Sequence, residues 1–413
     1  MLTVDQAVQF VLARISPLDC EKASLLDAHG RAIGETVRAR WNIPPFTNSA
    51  MDGFAVRWED VATCRPDEPV SLEVIDEVAA GYVSSKTVSR GRAIKIMTGA
   101  PVPKGADTII RVEYTKARDQ QVDIHKNDGE GGHIRKAGED ITRGQSIIEK
   151  GKLLGPSDIG LLASVGRSEV RVRRRPVVAI VSTGDELVPV DEKPGPGKIV
   201  NSNSYTLSCA VQQVGAIPQP LGSVRDRRKS LAKMFEKALN ADVVIVSGGV
   251  SVGDYDFVKE ALGDVGVKMG FWKVAQRPGH PMAFGRLRKK PVFGLPGNPV
   301  SSAVSFFLYT RPALLKMMGH RNVFLPVVRV ILEHDIKTAS GLKEFVRCVL
   351  RKKNGQYYAS STGTQSSGVL RSLSLAQGLI VSDEQQTMLR RGQEASVILL
   401  NTEEISLQEE MGF

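Results

Sequence analysis

The sequence lacks the patterns that mark disulfide-rich, secreted and membrane-spanning proteins. Its four cysteines, Cys20, Cys64, Cys209 and Cys348, are far apart and form no CxxC pair, which argues against a zinc site or a disulfide framework. No segment approaches the ~20 unbroken apolar residues of a membrane helix. The first residues lack the basic and apolar regions of a secretion signal. These absences predict a cytoplasmic protein that does not bind or span a membrane.

Aromatic residues are also scarce, at 6% of the chain, and no helix-turn-helix, zinc-finger or RNP pattern accompanies the basic residues. The formal net charge is nevertheless +10, with basic clusters at 171–175, 225–229 and 286–290. Direct nucleic-acid binding is therefore disfavoured. Solvated basic faces, or sites for small oxyanions, explain the charge better.

The length of 413 residues predicts several domains, because one hydrophobic core stops growing at ~250–300 residues. Thr3 and Gln6 predict a capping box at the start of an amphipathic helix. Residues 41–141 are rich in proline, glycine and valine, and their short alternating runs predict a mainly β domain. Residues 142–175 are typical of a returning connection, and renewed alternation in 323–413 predicts a small β barrel or sandwich.

At residue 176 the pattern changes to alternating strands and helices. Val- and Ile-rich runs at 177–181, 217–221, 243–246 and 292–295 are typical of buried parallel strands, and helical segments separate them. A doubly wound α/β domain that ends near His320 is predicted. Such sheets bind ligands in the loops that leave the carboxyl ends of their strands.

Three of these loops, 182–187, 247–256 and 295–300, are rich in glycine and polar residues. In the second loop, Gly248 and Gly249 would let backbone N–H groups approach an anion. Ser247 and Ser251 would add hydroxyl donors, so the loop predicts a phosphate cradle. The alternative is a tight turn that requires positive φ, which explains the glycines but not the serines.

Several carboxylates fall in loops at the same edge: Asp185, Glu186, Asp226, Asp254 and Asp256. Carboxylates alone would repel an anionic ligand. A Mg²⁺ ion held by one or two of them and by phosphate oxygens removes the conflict, because Mg²⁺ takes few protein ligands. For Asp185 and Asp254 the alternative is the N-cap of a helix.

Further motifs at 46–54, 96–101, 134–140, 271–281 and 364–373 extend the pattern over nearly the whole chain. Together with the three loops, this ordered set resembles the molybdopterin molybdenumtransferases, the family of bacterial MoeA and of the E domain of gephyrin. The resemblance implies an α/β multidomain fold. Its four domains would be a discontinuous N-terminal domain (1–40 and 142–175), a β-rich arm (41–141), a doubly wound molybdopterin-binding α/β domain (176–322) and a C-terminal β barrel (323–413).

The resemblance also implies a homodimer. The active site would lie between the α/β domain of one subunit and the arm of the other, so that Asp52, Thr98 and Asp140 would face the sheet-edge loops. The implied reaction transfers molybdenum from molybdate to the dithiolene of adenylated molybdopterin, with Mg²⁺-dependent release of AMP. The adenylating enzyme upstream and the acceptor molybdoenzymes are the implied partners, with no nucleic acid or membrane.

The resemblance assigns roles to individual residues. Asp226 and Asp256 would hold Mg²⁺ at the pyrophosphate, with Glu186 nearby, and Asp185, Asp52 and Asp140 complete the implied catalytic set. The residues that would contact the pterin substrate are Ser247, Gly248, Gly249, Ser251, Asp254, Thr98, Lys273, Pro296, Gly297, Asn298 and Pro299. The alternatives are a surface lysine for Lys273 and a rigid turn for the two prolines.

Molybdate would bind to one cluster of residues: Arg277, His280, Pro281, Arg347, and Ser366 or Ser367. The commoner family motif has lysine at both cationic positions that Arg277 and His280 occupy here. Arginine keeps the positive charge and its forked donors suit an oxyanion. Imidazole is mostly neutral at pH 7, so we expect weaker molybdate binding there than in acid. A different preference between molybdate and tungstate is a second reading.

Two rival functions remain open from the sequence. One is a dimeric, non-catalytic scaffold of the gephyrin E-domain type. The other is a nucleotide pyrophosphatase, or an adenylating enzyme, on the same α/β domain. The arm motifs and the Gln365-Ser-Ser region argue against the pyrophosphatase, because such an enzyme would not need an oxyanion site there.

Overall fold

The computed structural model describes residues 1–249 and 257–400. Their contacts divide the chain into two compact units. The large unit comprises Met1–Glu21, Gly30–Ala32 and the residues from Val172 onward, and the arm unit comprises Lys22–His29 and Ile33–Arg171. Within the described residues, no helix is long and apolar enough to cross a membrane.

The large unit is built on a six-stranded central sheet. Its strands, in spatial order, are Ile217–Val224, Val177–Thr183, Val243–Ser247, Lys290–Leu295, Ala283–Leu287 and Lys268–Phe271. The first four are parallel, and the last two run antiparallel to their neighbours. The four Val- and Ile-rich runs are thus confirmed as strands. The edge strand Lys268–Phe271 and its neighbour Ala283–Leu287 were not predicted, because glycine and basic residues interrupt their apolar pattern.

Both faces of the central sheet are covered, which is why its strands are apolar at successive positions. Val178 and Ile180 pack into one core, whereas Ala179 and Val181 point into the other. The flanking helices are Ser202–Gln213, Arg228–Ala238, Phe257–Asp264, Pro299–Ser305 and Arg311–Met317, with a π-helical turn at Phe306–Thr310. The sheet is therefore doubly wound, as expected.

The N-terminal helix, Val4–Leu12, belongs to the large unit. Thr3 and Gln6 form the predicted capping box, each side chain accepting from the other residue's backbone N–H. Ala7 and Val11 are fully buried in the same core as Val178. The helix thus completes one face of the α/β domain.

A closed β barrel of five strands follows. The strands are Val327–Leu332, Lys343–Lys353, Gln356–Ser361, Gly378–Ser382 and Glu394–Leu399. The circle closes because Lys343–Lys353 pairs with both Gln356–Ser361 and Gly378–Ser382. A two-residue strand, Gln276–Arg277, adds to the barrel by parallel pairing with Lys343 and Glu344. Shorter elements are the helix Leu370–Ser374 and the strand pairs Leu187–Val188 with Ile199–Val200 and Ile336–Lys337 with Met388–Leu389.

The arm unit contains a curled, mixed sheet of six strands. In spatial order they are Thr108–Arg111, Gly53–Val56, Arg92–Ile96, Val70–Val78, Gln121–Ile124 and Thr115–Arg118. Gly53 has a clear reason within the 46–54 motif: a Cβ atom there would lie 1.9 Å from the carbonyl oxygen of Ile110. Smaller elements are the helices Leu25–Ala28, Trp58–Val61 and Pro156–Ser164 and the strand pairs Asn48–Ser49 with Ile134–Arg135 and Val37–Arg38 with Ser146–Ile148.

The expected fold class is confirmed: a doubly wound α/β domain, a β-rich arm and a C-terminal β barrel. The boundaries of the four domains stay a prediction. In the described contacts, the barrel and the α/β domain fall into one compact unit.

Candidate active site

The three polar loops begin side by side at one edge of the central sheet. Ser182 is paired with Ser247, and Ser247 is paired with Leu295, so the strands end at the same level. A cavity of about 330 Å³ opens at this edge, which we call the sheet-edge pocket. Its wall includes Glu186, Asn203, Ser247, Gly297, Asn298 and Pro299. The chain therefore brings together residues from all three predicted loops.

An asparagine that sequence reasoning missed connects two of these loops. The Asn203 Nδ2 group donates to Ser247 Oγ and to the carbonyl oxygen of Gly297, each at 2.8 Å. Asn203 lies in the first turn of the helix Ser202–Gln213, whose N-cap is Asn201. The Asn201 side chain accepts from Ser204 N–H at 3.2 Å and from Ser182 Oγ at 3.1 Å. The polar run 201–204 after a short strand was the available signal.

Gly248 and Gly249 are required by the backbone itself. Both have positive φ, 96° and 65°. A Cβ atom at Gly248 would lie 2.4 Å from the Thr183 carbonyl oxygen, and one at Gly249 would lie 2.2 Å from Val258 Cγ2. The tight-turn explanation thus holds for both glycines, and a phosphate contact through their N–H groups stays a prediction.

Acidic residues crowd the same edge. The pKa of Asp226 is raised above its usual range by burial, and further by the negative charges of Glu186 and Asp185. Asp226 Oδ1 is buried and has no hydrogen-bond partner in the described residues. Asp185 lies in a turn that leads into a short strand, so the structure does not support the N-cap alternative for it.

This arrangement fits a small, hard cation. A buried, unsatisfied carboxylate oxygen next to other carboxylates is the oxygen-donor chemistry that Mg²⁺ uses. Residues 1–249 and 257–400 contain no group of three acidic, histidine or cysteine side chains that could hold a metal by themselves. Asp256, the predicted additional ligand, lies outside the described residues, as do Ser251 and Asp254.

The barrel contributes a buried arginine next to the pocket. Arg347 is fully buried, and it donates from Nε to Ser372 Oγ at 2.9 Å and from Nη2 to the carbonyl oxygens of Thr364 and Ser366 at 3.2 and 3.1 Å. Burial lowers the pKa of Arg347. Its Nη1 group has no hydrogen-bond partner, and no carboxylate pairs with it in the described part of the chain. A spare donor on a buried cation suits an anionic ligand.

The segment that holds Arg347 also contacts the sheet-edge pocket. Asn298 Nδ2 donates to Ser367 Oγ at 3.0 Å, and Val300 N–H donates to the Ser367 carbonyl oxygen at 3.2 Å. Gly368 and Leu370 line the pocket itself. Ser366 and Ser367 thus lie between the guanidinium of Arg347 and the loop that contains Asn298.

Arg277, unlike Arg347, has a carboxylate partner in the described residues. Arg277 Nη1 contacts Glu344 Oε1 at 3.2 Å, and the Glu344 side chain is only 8% exposed. Side chains three residues apart on a strand point to opposite faces, so Glu344 and Arg347 diverge. The role of Arg277 in molybdate binding stays a prediction.

Three further predicted residues lie near Arg277 in the sequence: Lys273 before it, and His280 and Pro281 after it. His280 Nδ1 is buried without a hydrogen-bond partner in the described residues, and Pro281 follows it. Lys273 is exposed. Gln276, which the sequence did not single out, holds this segment: its Nε2 group donates to the Pro278 carbonyl oxygen at 3.0 Å, and Tyr309 OH donates to its Oε1.

Models of three protein families match the chain. They are the MoeA N-terminal region (domain I and II) at residues 2–166, a probable molybdopterin binding domain at 179–316 and the MoeA C-terminal region (domain IV) at 329–400. The molybdopterin molybdenumtransferase of Nostoc sp. is 37% identical over 391 residues, which cover 93% of this chain and 90% of that protein. This chain belongs to the molybdopterin molybdenumtransferase family.

Other family members match over similar lengths. The molybdopterin molybdenumtransferase of Bacillus subtilis is 33% identical over 97% of this chain and 95% of its own. The crystal structure of the molybdopterin biosynthesis moeA protein from Pyrococcus horikoshii has a TM-score of 0.82 at 32% identity, covering 97% of this chain and 100% of that one. The family resemblance drawn from the sequence is therefore confirmed.

The arm unit holds the remaining residues that the family resemblance singled out. Asp52 Oδ1 accepts from Thr98 N–H at 2.6 Å and from Thr98 Oγ1 at 2.7 Å. Both hydrogen bonds lower the pKa of Asp52, and the bond from the backbone N–H has the larger effect. Asp140 is exposed and donates its N–H to the Ile43 carbonyl oxygen at 3.0 Å. Asp52 and Thr98 thus form one fixed acidic group, and Asp140 is not shown to join it.

Proposed function

We propose that this protein is a molybdopterin molybdenumtransferase that completes the molybdenum cofactor. It would join molybdenum from molybdate to the dithiolene sulfurs of adenylated molybdopterin and release AMP. The proposal rests on the guanidinium of Arg347, which is buried and forms no ion pair with a carboxylate in the described residues. In this member of the family, Ser366 and Ser367 link that guanidinium to the sheet-edge pocket.

The pocket would hold the phosphate and pterin parts of the substrate. Asn203 fixes the Ser247 hydroxyl and the Gly297 carbonyl, so that both keep one orientation before a ligand arrives. Gly248 and Gly249 allow close approach of backbone N–H groups to phosphate. The proposed contacts further include Ser251, Asp254, Thr98, Lys273, Pro296, Asn298 and Pro299.

Asp226 and Asp256, with Glu186 nearby, would hold Mg²⁺. The ion would neutralise negative charge on the phosphoanhydride as that bond opens. A bound cation would offset the burial and the negative charges of Glu186 and Asp185 that raise the pKa of Asp226. Asp185 adds to the negative field that attracts the ion.

Arg347 would bind the oxyanion through its free Nη1 donor, with a serine hydroxyl from 366–367 beside it. The low dielectric around this buried guanidinium strengthens its attraction for a dianion. Its three neutral partners fix the position of the donor without competing for the charge. Arg277, His280 and Pro281 belong to the same proposed molybdate site.

The proposal includes a homodimer in the cytoplasm, with the arm of one subunit facing the sheet-edge loops of the other. Asp52, held by Thr98, and Asp140 would then approach the substrate from the partner subunit. The adenylating enzyme that supplies the substrate and the molybdoenzymes that accept the product are the proposed partners.

The test is release of AMP from molybdopterin adenylate by the purified protein with Mg²⁺, with and without molybdate. Wild type is compared with Asp256→Ala and with Asp226→Asn, which keeps the side-chain shape. We expect molybdate-dependent release that both variants lose. Asp60→Asn in the arm serves as the charge-matched control.

The rival functions give different outcomes. Release that ignores molybdate would identify a pyrophosphatase. No release by wild type, together with intact folding and dimerisation, would favour the scaffold.

A further inference from the structure

A second concave site lies beside the edge strand Lys268–Phe271 of the central sheet. A groove of about 560 Å³ is formed by the N-terminal helix, the edge strand Lys268–Phe271 and the neighbouring hairpin. We call it the basic groove. It shares no lining residue with the sheet-edge pocket. Its volume is that of a site for a small molecule.

The charges of this groove have one sign. Its lining contains Arg14, Lys268, Arg286 and Arg288 and no acidic residue. Across the described chain, no carboxylate forms an ion pair with any of these four side chains. By contrast, Arg228 of another basic cluster is paired with Asp264 at 2.6 Å. The groove is therefore a concentrated, uncompensated positive site.

Two of the cationic side chains lie on directly paired residues, where their like charges destabilise the fold. Lys268 and Arg286 are direct partners across an antiparallel pair of strands. Like charges placed directly opposite each other repel. The Nε group of Arg286 is also buried without a hydrogen-bond partner in the described residues. An anion between the two side chains would remove both defects.

The hairpin turn supplies a third cation at a conformational cost. Arg288 has φ of 55°, a left-handed conformation that asparagine or glycine adopts more easily than arginine. On the other side of the groove, Arg14 lies over the Phe10 ring, with its guanidinium 3.4 Å from the ring centroid. Cations thus approach the groove from the turn after the N-terminal helix, from two strands and from the hairpin turn.

We propose that the basic groove binds a small phosphorylated compound with a diphosphate group, separately from the sheet-edge pocket. Four cations around one small cavity match the charge of a diphosphate. A concave site of this size suits a small ligand better than the flat face of a protein. The inference does not depend on the proposed transferase reaction.

The test uses inorganic pyrophosphate as the probe and Met269 as the reporter. Met269 lines the basic groove, whereas the sheet-edge pocket has no methionine in its lining. The protein is labelled with ¹³C at its methionine methyl groups, and the Met269 signal is assigned with Met269→Leu. Pyrophosphate is titrated without Mg²⁺ at low and at physiological salt.

We expect the Met269 signal to shift and saturate, with an affinity that falls roughly tenfold in the double variant Lys268→Gln/Arg286→Gln, because two charge-assisted contacts are lost. The matched control is Lys289→Gln, an exposed lysine in the same hairpin that does not line the groove. It should change the affinity less than about twofold, as expected for a screened surface charge.

Arg288→Asn separates binding from folding. Asparagine tolerates the left-handed conformation, so the midpoint of thermal unfolding should rise while pyrophosphate affinity falls. The proposal is overturned if the Met269 signal does not move, or if Lys289→Gln weakens binding as much as the double variant. It is also overturned if a hexaglutamate peptide binds more tightly than pyrophosphate, or if the double variant dissociates an oligomer, since either result assigns the groove to a protein contact.

Discussion

The large unit holds one half-buried arginine and one fully buried arginine, and their partners differ. At the start of the strand Val177–Thr183, Arg174 contacts both oxygens of Asp242, at 2.6 and 2.7 Å. In the barrel, Arg347 contacts only a hydroxyl and two carbonyl oxygens. The first cation is neutralised by its own chain. The second keeps a net charge and a free donor.

The pKa values of the two arginines move in opposite directions. The hydrogen bond to Asp242 raises the pKa of Arg174, whereas burial lowers the pKa of Arg347. Removal of one partner of the Arg174 ion pair would leave the other charge uncompensated, whereas the buried, unpaired guanidinium of Arg347 costs free energy unless an external anion completes it. The comparison therefore separates a paired arginine from one that we propose to bind a ligand.

The largest expected effect is on Arg347→Met. Methionine has a similar length and no charge, so molybdate affinity should fall about 100-fold, because the buried positive charge and the charge-assisted contact from Nη1 are lost. The unfolding free energy should change by at most about 2 kcal/mol, since the burial cost of the charge disappears along with its hydrogen bonds. Molybdate titration by calorimetry and urea denaturation measure the two quantities.

Arg329→Met, on an exposed barrel strand position, is the matched control. Unchanged molybdate affinity in Arg347→Met would show that Arg347, like Arg174, does not bind the oxyanion.

The reverse pattern is expected for Arg174→Met. The variant leaves Asp242 without its partner, with the two side chains 34% and 19% exposed in wild type. We expect a loss of about 2–3 kcal/mol in unfolding free energy, less than for a fully buried pair. Molybdate affinity should not change. Arg175→Met, at the exposed neighbouring position, is the control in urea denaturation.

The loss should depend on pH with a defined sign. Burial raises the pKa of Asp242, but the Arg174 hydrogen bond and the Val177 N–H outweigh it, and the net pKa is lowered. The pair therefore stabilises the fold above the unfolded-state pKa of ~3.9 and loses that contribution as pH falls below it. A difference between wild type and Arg174→Met that stays constant from pH 7 to pH 3 would contradict this explanation.

The smallest expected effect is on His280, whose Nδ1 atom is the next candidate for a contact with the ligand. His280 Nδ1 is buried without a hydrogen-bond partner in the described residues. His280→Lys should raise molybdate affinity severalfold, because lysine adds a positive charge at this position. His29→Lys, an exposed position in the arm, is the control. An unchanged affinity in His280→Lys would separate His280 from molybdate binding.

Much of the fold was predictable because burial leaves a record in the sequence. Strands covered on both faces, such as Val243–Ser247, must be apolar at every position, and they were identified. The edge strand Lys268–Phe271 and its neighbour Ala283–Leu287 were missed because each contains a glycine and a basic residue. The glycine and basic residues of these strands line the basic groove, so they interrupt the apolar pattern that a strand covered on both faces would show.

The candidate site was predictable only where one rule sufficed. Carboxyl ends of parallel strands meet at one edge, so the grouping of Glu186, Ser247 and Asn298 could be expected. Asn203 could not be found in this way, because its partners are 44 and 94 residues away. The Arg277 contact with Glu344 spans 67 residues and depends on strand pairing that no local pattern reveals.

The short pairing of Gln276 and Arg277 with Lys343 and Glu344 has a consequence for how this chain can be cut and recombined. Phe345 and Leu379 of the barrel belong to the same core as Val178 of the central sheet. A shortened chain that ends before the barrel would expose that core and leave the Gln276 edge without backbone partners. A barrel that is exchanged between relatives therefore has to be transferred together with its matching 274–281 segment, because the two segments pair through their backbones.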